Sequence, residues 1–246
     1  MAELERTARE VAAEWGVELG ERFALSRYSF VAAAGDGAVL KVTPTEDDES
    51  DEEADALALW GGEGAVRLLR RDRGRRALLV ERARPGVDAS TLAEDEATRV
   101  AVEVGSKLWR AAAAPPFRSV HDHVPRWLRN ARDHPLAPLA TELYARLERR
   151  DVALVHGDFH HHNLLRDGDR WLAIDPKAML GEPEYDVPSF LWNPLAYRMT
   201  RELTERRIAA FAAAGLDGRR IREWTVIRGA YLGADPDEID VIRALL

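Results

Sequence analysis

A short histidine-rich segment contains the residues best suited to chemistry. In "LVHGDFHHHNLL", residues 154 to 165, four residues separate Asp158 from Asn163. Asp175 follows in "WLAIDP", at the end of a later apolar stretch. A carboxylate can accept the proton of a reacting hydroxyl, and carboxylate and amide oxygens suit Mg²⁺. These three residues therefore predict a proton acceptor beside a magnesium site.

The spacing of the acid and the amide points to phosphoryl transfer. An Asp followed after four residues by an Asn is the pattern of a kinase catalytic loop, in which the Asp accepts the substrate proton and the Asn holds Mg²⁺. A second acid at the end of the next strand strengthens this interpretation. We expect Asp158 to act as the base and Asn163 and Asp175 to bind the metal.

A lysine earlier in the chain is placed to meet a phosphate. The chain contains 35 basic residues, but its only lysines are Lys41, Lys107 and Lys177. In "AVLKVTP" the side chain of Lys41 should point away from those of its strand neighbours, over one face of a sheet. An exposed strand lysine without a function is the alternative.

The helix that follows offers a partner for this lysine. Glu53 falls on the same helical side as Leu57 and Trp60, so we expect it to face the sheet and pair with Lys41. The competing interpretation is a capping box in which Glu53 bonds back to Ser50, with Glu52 then serving as the lysine's partner.

Composition limits the class of protein. The chain has 246 residues, 46% of them hydrophobic, and no cysteine, which excludes disulfides and thiolate metal sites. A net charge of −8 argues against a nucleic-acid partner. No apolar run is long enough to span a bilayer, and the N-terminal segment does not resemble a signal peptide, so we expect a cytoplasmic protein without a membrane partner.

The pattern of hydrophobic residues predicts an α+β protein of two lobes. Strands near 22–32, 37–43, 66–70 and 77–82 form an antiparallel sheet interrupted by one helix near 50–62. Helices near 90–113, 136–149, 195–214 and 217–232 dominate the remainder, with short strands at 152–155, 163–166 and 170–174. A Pro-Gly stretch at 82–88 indicates the boundary, giving lobes of 1–84 and 85–246.

Several segments together resemble a known family. "HGDFHHHN", "AIDPK" and "GEPEYDVPSFLWNP", with "AVLKV", "ALALWGGEGAVRLL" and "ALLVERARPG" before them, resemble the aminoglycoside phosphotransferase superfamily. The similarity is greatest to its streptomycin 6-kinase and hydroxyurea phosphotransferase branch, over about residues 36 to 195. The resemblance implies a bilobal protein-kinase-like fold and transfer of the γ-phosphoryl group of ATP, with Mg²⁺, to a hydroxyl of a small molecule.

The resemblance also implies roles for individual residues. It makes Asp158 the base, Asn163 and Asp175 the Mg²⁺ ligands, and Lys41, supported by Glu53, the contact to the nucleotide phosphates. It makes Asp186 a brace for the catalytic loop and His156 a structural anchor for the same loop. Lys177 either adds positive charge near the phosphates or lies on the surface.

The nucleotide-binding residues are less well defined by the resemblance. Backbone groups from Glu81 to Ala83 would meet the adenine ring at a hinge between the lobes. The stretch "LSRYSFVAAAGDG" should cover the phosphates, but it has no glycine before Gly35. Any phosphate-clamping loop must therefore use Ser26, Ser29 or plain backbone N–H groups.

Two observations indicate a cationic acceptor such as streptomycin, whose guanidinium groups are charged. The first is the branch that the chain resembles. The second is a set of acids that could line a cleft and steer a cation, namely Glu182, Glu184, Asp235, Asp237, Glu238 and Asp240. The C-terminal acids could instead begin the last helix, and a neutral acceptor such as hydroxyurea stays open.

Two other functions remain possible from the sequence. His156, Asp158 and His160 alternate as in a zinc or manganese site, which would suit a metal-dependent hydrolase, although no histidine follows His162. The missing glycine-rich loop suits a catalytically inactive, kinase-like binding module. The presence of base, metal ligands and lysine together favours a kinase.

Overall fold

The structure is a computed structural model that describes residues 1–23, 28–45, 52–109, 117–194 and 198–246. The chain forms two compact units. The first comprises Met1–Val87 with Leu165–Lys177, and the second comprises Asp88–Leu164 with Ala178–Leu246. The residues predicted to bind nucleotide phosphates lie in the first unit, and the predicted base lies in the second.

The first unit contains a five-stranded antiparallel sheet that holds Lys41. Helix α1 (Ala2–Trp15) precedes strands β1 (Leu19–Arg22), β2 (Phe30–Ala34) and β3 (Ala38–Val42), helix α2 (Glu53–Trp60), and strands β4 (Leu68–Asp72) and β5 (Ala77–Glu81). The strand order is β1-β2-β3-β5-β4. Because β3 lies between β2 and β5, both backbone edges around Lys41 are paired.

Alternation along β3 separates the core from the functional face. Leu40 and Val42 are buried in a cluster with Ala8 and Val11 of α1. Lys41 points to the other face of the sheet, as the period of two requires. Burial of the apolar face against α1 therefore fixes the direction of the lysine side chain.

A smaller sheet completes the first unit. Strands β6 (Pro85–Asp88), β8 (Leu164–Asp167) and β9 (Arg170–Ala173) lie in the order β6-β8-β9. Ala173 donates to the carbonyl of Gly64 and accepts from Val66, at 2.8 and 3.0 Å. These two bonds fix the end of β9, two residues before Asp175.

The second unit is mainly helical. Its helices are α3 (Glu94–Leu108), α4 (Val120–Asn130), α5 (Ala137–Arg146), α6 (Val187–Leu191), α7 (Arg201–Ala213), α8 (Gly218–Leu232) and α9 (Pro236–Arg243). Strand β7 (Ala153–Val155) pairs antiparallel with β10 (Met179–Gly181). The catalytic-loop segment begins where β7 ends, and α8 is buried along most of its length.

One helix was not predicted from the sequence. No element was expected between the helices near 90–113 and 136–149, but His121 and His123 lie in α4. Ser119 and Asp122 form a capping box that starts this helix, and Pro125 lies inside it. The proline concealed the helical pattern. The predicted helix from 195 begins only at Arg201, where Thr200 is the N-cap.

The predicted lobe boundary and the observed units differ in detail. The units divide at 87/88 rather than 84/85, and the first also includes the β8–β9 hairpin. The assignment of residues 1–84 to nucleotide binding and 85–246 to catalysis stays a prediction. Within the described part of the chain, no helix is both long and apolar enough to cross a membrane.

Candidate active site

The first unit brings Lys41, Glu53 and Asp175 together. The Nζ atom of Lys41 donates to Oε2 of Glu53 at 2.7 Å, and it also donates to Oδ1 of Asp175. The lysine side chain is only 12% exposed. The predicted Lys41–Glu53 pair is therefore confirmed, and the acid at the end of β9 joins it.

Glu53 reaches the lysine because it is the first residue of α2. Its side chain is 4% exposed, and Glu52 precedes it as the N-cap without a side-chain capping bond. The proposed bond of Glu53 to Ser50 falls outside the described residues. Gly61 ends the helix in the left-handed conformation.

Burial and charge compete at this cluster. Burial alone would lower the pKa of Lys41, but the charges of Glu53 and Asp175 outweigh it and raise the pKa above its ordinary value. Burial raises the pKa of Glu53, with the charge of Lys41 acting in the opposite direction. The lysine therefore stays protonated and keeps a full positive charge at this face of the sheet.

Asp175 has an unusual backbone. Its φ angle is +56°, a left-handed value that is uncommon for residues other than glycine but tolerated by Asp. Its side chain is 42% exposed. Strained backbone of this kind concentrates at functional positions. The conformation presents a partly exposed carboxylate beside a buried lysine.

In the second unit, Asp158 and Asn163 lie against each other. The Asn163 amide nitrogen donates to the backbone carbonyl of Asp158 at 2.8 Å and to its Oδ2 atom at 3.2 Å. A short 3-10 turn over His161–Asn163 makes this possible, since the Asn163 N–H bonds to the carbonyl of His160 at 2.9 Å. The four intervening residues thus fold back so that base and amide meet.

Asp186 holds the start of this loop. Its two carboxylate oxygens accept from the backbone N–H groups of His156 and Gly157, both at 2.7 Å. The indole of Trp109 donates to the same carboxylate at 2.8 Å. Asp186 is fully buried. The predicted bracing contact is present in the structure, with Trp109 as an additional partner that the sequence did not indicate.

A buried arginine supports the loop from α8. Arg228 is 3% exposed, and its Nη2 atom donates to the carbonyl of Gly157 and the hydroxyl of Ser189, both at 2.9 Å. Its Nη1 atom donates to the carbonyl of Tyr185 at 3.0 Å. Arg228 lies within the apolar stretch "TVIRGAY", and that setting was the available sequence signal for a buried cation.

The surroundings keep Asp158 ionised. Burial by itself would raise the pKa of Asp158. The hydrogen bond and charge of His160 outweigh burial, with contributions from His156 and Arg228, and hold the pKa well below its ordinary range. The side chain is 42% exposed. An ionised and partly exposed carboxylate is able to accept a hydrogen bond from a substrate hydroxyl.

The histidines of this segment have separate environments. His156 is buried, and its Nδ1 atom accepts from the Asp158 N–H at 3.3 Å, as expected of an anchor for the loop. His160 lies 3.4 Å from Asp158, whereas His162 lies 3.0 Å from Asp88. His161 is buried and stacks on Phe190 at 4.0 Å.

This arrangement gives no support to a zinc or manganese hydrolase. Among the residues that the structure describes, no group of three or more His, Cys, Asp or Glu side chains is arranged to hold a metal ion. Burial, together with the charge of Arg207, lowers the pKa of His161 to about 3. His161 is therefore a neutral packing residue at ordinary pH.

The structure gives less information on the other residues that were predicted to bind the nucleotide. Ser26 lies outside the described residues. Ser29 is buried, and its hydroxyl bonds to that of Thr43 at 3.3 Å. The backbone N–H of Glu81 donates to the backbone carbonyl of Arg67. The side chain of Glu81 accepts from the backbone N–H of Arg67 at 2.8 Å. Ala83, just after β5, is buried.

The proposed acidic lining of an acceptor cleft is wrong for the acids that follow β10. Glu182 is 1% exposed and accepts from Nε and Nη2 of Arg220 at 2.7 and 2.6 Å. Glu184 is also buried and accepts from the N–H of Asp217 at 2.9 Å. Glu182 is paired with an arginine and Glu184 is bonded to a backbone N–H inside the second unit, so neither buried carboxylate is available to steer a cation.

The C-terminal acids are explained by a helix start. Asp235 and Glu238 form a capping box at the beginning of α9. Asp237, in the first turn, forms an exposed ion pair with Arg198 at 2.8 Å. These contacts agree with the alternative that the acidic segment begins the last helix.

Solved structures with a similar fold are kinases. A choline/ethanolamine kinase family protein from Mesorhizobium loti matches with a TM-score of 0.65 at 16% identity, over 97% of this chain and 84% of that one. The ADP-bound aminoglycoside phosphotransferase APH(2'')-Ib matches with a TM-score of 0.61 at 13% identity, over 98% and 96%. At such identities the likeness establishes the fold alone. The fold is that of the protein-kinase-like phosphotransferases, as predicted.

Sequence comparison identifies the family. A model of the aminoglycoside/hydroxyurea antibiotic resistance kinases matches residues 21–239. The streptomycin 3''-kinase of Klebsiella pneumoniae is 33% identical over 207 residues, 77% of this chain and 76% of that protein. The hydroxyurea phosphotransferase of Kitasatospora aureofaciens is 34% identical over 222 residues, 80% of this chain and 62% of that protein. The chain belongs to this family and is a phosphotransferase that acts on small-molecule hydroxyl groups.

Proposed function

We propose that the protein transfers the γ-phosphoryl group of ATP to a hydroxyl of a streptomycin-like aminoglycoside or a related small molecule. The observation that carries this proposal is the Asp158–Asn163 arrangement, in which an ionised, accessible carboxylate lies against an amide on a loop fixed by Asp186. Positioning and electrostatic stabilisation are the main contributions a protein makes to phosphoryl transfer. The pattern of contacts in this loop suits that role.

Asp158 serves in this proposal as the base. Its carboxylate accepts a hydrogen bond from the acceptor hydroxyl, orients the oxygen, and takes the proton as the oxygen–phosphorus bond forms. The bond between the γ-phosphorus and the bridging oxygen breaks at the same centre, and ADP leaves. The rigid loop around Asp158 supports this role because small errors in the position of a base are costly.

Lys41 serves as the phosphate contact. Its raised pKa keeps it charged, and the pair with Glu53 holds the ammonium on the face of the sheet opposite α1. We assign Ser26, Ser29 and backbone N–H groups of the same stretch to the phosphate-covering loop. Glu81 and Ala83 lie in the segment assigned to adenine, where the N–H groups of Glu81 and Arg82 already bond within the unit.

The residues assigned to magnesium fit a hard cation. The amide nitrogen of Asn163 is directed at Asp158, so its oxygen is the amide atom directed away from that residue. Asp175 presents a partly exposed carboxylate. Oxygen donors of these two kinds suit Mg²⁺, which supplies charge neutralisation on the phosphoryl oxygens when it is bound. Because the reaction uses ATP, we place the protein in the cytoplasm.

The test is a coupled assay with Mg·ATP and candidate acceptors. We expect acceptor-dependent ADP release and a product heavier by one phosphoryl group in mass spectrometry, with streptomycin or hydroxyurea as the acceptor. ATP binding without any acceptor-dependent turnover would instead favour an inactive binding module. Hydrolysis of the acceptor without nucleotide would favour the hydrolase.

A further inference from the structure

His160 lies beside the carboxylate that we assign as the base. Its Nε2 atom is 3.4 Å from Oδ2 of Asp158, and its side chain is 17% exposed. The amide nitrogen of Asn163 donates to the same oxygen at 3.2 Å. Among the residues that the structure describes, both polar contacts to this carboxylate fall on Oδ2. Oδ1 is therefore the oxygen left for the hydroxyl of an acceptor.

The second ring nitrogen of His160 shows where the imidazole carries its proton. Nδ1 accepts from the backbone N–H of His162 at 3.3 Å, so His160 caps the 3-10 turn over His161–Asn163. A backbone N–H can only donate, which means that Nδ1 carries no proton. The single N–H of a neutral imidazole is then on Nε2, the atom that faces Asp158. The loop backbone thus fixes both the tautomer and the direction of the ring.

The same tautomer excludes His160 as the base. The lone pair that a neutral imidazole offers is on Nδ1, and the backbone N–H of His162 already occupies it. The amide nitrogen of Asn163 lies 3.3 Å from Nε2. With a proton on Nε2 both nitrogens are donors, and they converge on Oδ2 of Asp158. At 3.4 Å the histidine contact is long, and contacts to catalytic groups commonly shorten when a substrate binds.

We propose that His160 is a positioning residue for phosphoryl transfer: its Nε2–H and the Asn163 amide hold Oδ2, so that Oδ1 of Asp158 faces the acceptor hydroxyl. This inference rests on the proposed function and assigns a further residue of the same site. The torsion that orients an Asp carboxylate is broad and nearly two-fold, so its oxygens exchange unless one of them is held. Holding the base matters because a small misplacement of reacting groups is costly.

Two amide variants separate this positioning role from the capping role. The terminal nitrogen of glutamine can take the place of Nε2, whereas the oxygen of asparagine can take the place of Nδ1 and cap the turn. His160→Gln therefore keeps a donor for Asp158, and His160→Asn keeps the cap without the donor. His160→Ala has neither. His162→Gln is the matched control, because the His162 ring contacts Asp88 and the variant keeps the backbone N–H.

We expect His160→Asn and His160→Ala to lower kcat about 10- to 100-fold with Mg·ATP and streptomycin, while the KM for ATP changes less than about threefold. Hydroxyurea replaces streptomycin if the wild type phosphorylates only hydroxyurea. His160→Gln should retain most of the wild-type kcat, and His162→Gln should match the wild type. Adding His160→Ala to Asp158→Asn should lower kcat no further, because His160 acts through Asp158.

The opposite pattern would overturn the inference and leave the proposed function intact. If His160→Asn matches the wild type and His160→Gln is slow, His160 serves only to cap the turn. If both amide variants are slow, the combined variant decides, since a further loss on top of Asp158→Asn means that His160 does not act through the base. Wild-type kcat in His160→Ala also refutes the role. If the wild type phosphorylates neither acceptor, the proposed function itself fails.

A second measurement requires no turnover. Long-range ¹H–¹⁵N NMR spectra of the wild type, recorded at about pH 8 where imidazole is ordinarily neutral, show which ring nitrogen of His160 carries the proton. We expect the proton on Nε2. A proton on Nδ1 would overturn the inference, because Nε2 could then not donate to Asp158. Thermal unfolding of each variant identifies any loss of activity that comes from misfolding.

Discussion

At the scale of single residues, Asp158 combines features that a proton acceptor needs. Its carboxylate is partly exposed, bonded by the Asn163 amide, and kept ionised by His160 and neighbouring charges. A general base contacts the acceptor hydroxyl rather than the nucleotide phosphates. The residue should therefore matter for the chemical step and little for nucleotide affinity.

We expect Asp158→Asn to lower kcat by a factor of about 10² to 10⁴, the usual contribution of a general base, with the dissociation constant for Mg·ATP changed less than threefold. Steady-state kinetics and calorimetric titration of the nucleotide measure the two quantities. Since the pKa of Asp158 lies below its ordinary range, protonation of this group should cause no loss of wild-type activity down to about pH 5. Near-normal kcat in Asp158→Asn contradicts the assignment.

Lys41 differs from Asp158 because its side chain is held between two carboxylates. We expect Lys41→Ala to lower kcat about 100-fold and to raise the KM for ATP, because the charge that meets the phosphates is lost and Glu53 is left buried without its cation. Lys41→Arg should not restore activity, since a planar guanidinium does not reproduce a compact ammonium in a site that is 12% exposed.

Lys107→Ala is the matched control for this experiment. That lysine forms an exposed i,i+4 pair with Glu103 on α3, and such pairs contribute less than about 0.5 kcal/mol. Its variant should keep wild-type kinetics. Full activity in Lys41→Arg would mean that only the positive charge matters at this position.

At the scale of elements, buried charges connect helices to the segments that carry the loop. Glu182 follows β10 and binds Arg220 of α8 through two hydrogen bonds, and the indole of Trp224 donates to the same carboxylate. Arg207 of α7 similarly bonds Glu94 of α3 through two hydrogen bonds, at 2.6 and 2.7 Å. Because Glu182, Arg220 and Arg207 are buried, loss of a partner leaves a buried charge uncompensated.

We expect Glu182→Gln to lower the free energy of unfolding by about 3 to 5 kcal/mol, as is usual when one member of a buried ion pair is removed. Urea denaturation followed by circular dichroism measures this change. Glu142→Gln, which disrupts an exposed pair with Arg146, is the control and should cost less than about 1 kcal/mol. Equal stability of Glu182→Gln and wild type would show that Glu182 is not a structural partner of Arg220.

The sequence predicted the elements whose pattern is local. Lys41 could be placed because its strand alternates cleanly, and Asp158 and Asn163 because their spacing is fixed by one short loop. Helix α4 was missed because Pro125 interrupts its pattern. The buried role of Arg228 was missed although the residue lies in an apolar stretch, because in a chain rich in arginine that setting alone does not separate a buried guanidinium from a solvated one.

Glu182 shows the opposite error: it was predicted to be a binding residue, but the structure makes it a buried structural residue. In the sequence it belongs to a set of acidic residues that suggested attraction of a cation. Its partner Arg220 is 38 residues away, and no local pattern links the two. Long-range compensation of charge therefore decided whether an acid was a binding residue or a structural one.

At the scale of the whole molecule, His161 should make folding stability depend on pH. Burial, together with the charge of Arg207, lowers the pKa of His161 to about 3, whereas an imidazole in an unfolded chain titrates near ~6.5. Between these values the unfolded chain binds one more proton at this site than the folded chain. Stability therefore rises with pH across the window and is lost as the pH falls.

The size of this effect can be tested with His161→Phe, which keeps an aromatic ring against Phe190 but removes the titration. For the wild type, the site should contribute about 2 kcal/mol to the difference in unfolding free energy between pH 7 and pH 5. We expect that difference, measured by urea denaturation at both pH values, to shrink by this amount in the variant. Carboxylates titrate in both proteins and cancel in the comparison. If both proteins lose the same stability on acidification, His161 must be able to take up a proton in the folded state, which would require its buried ring to reach solvent or an acidic partner.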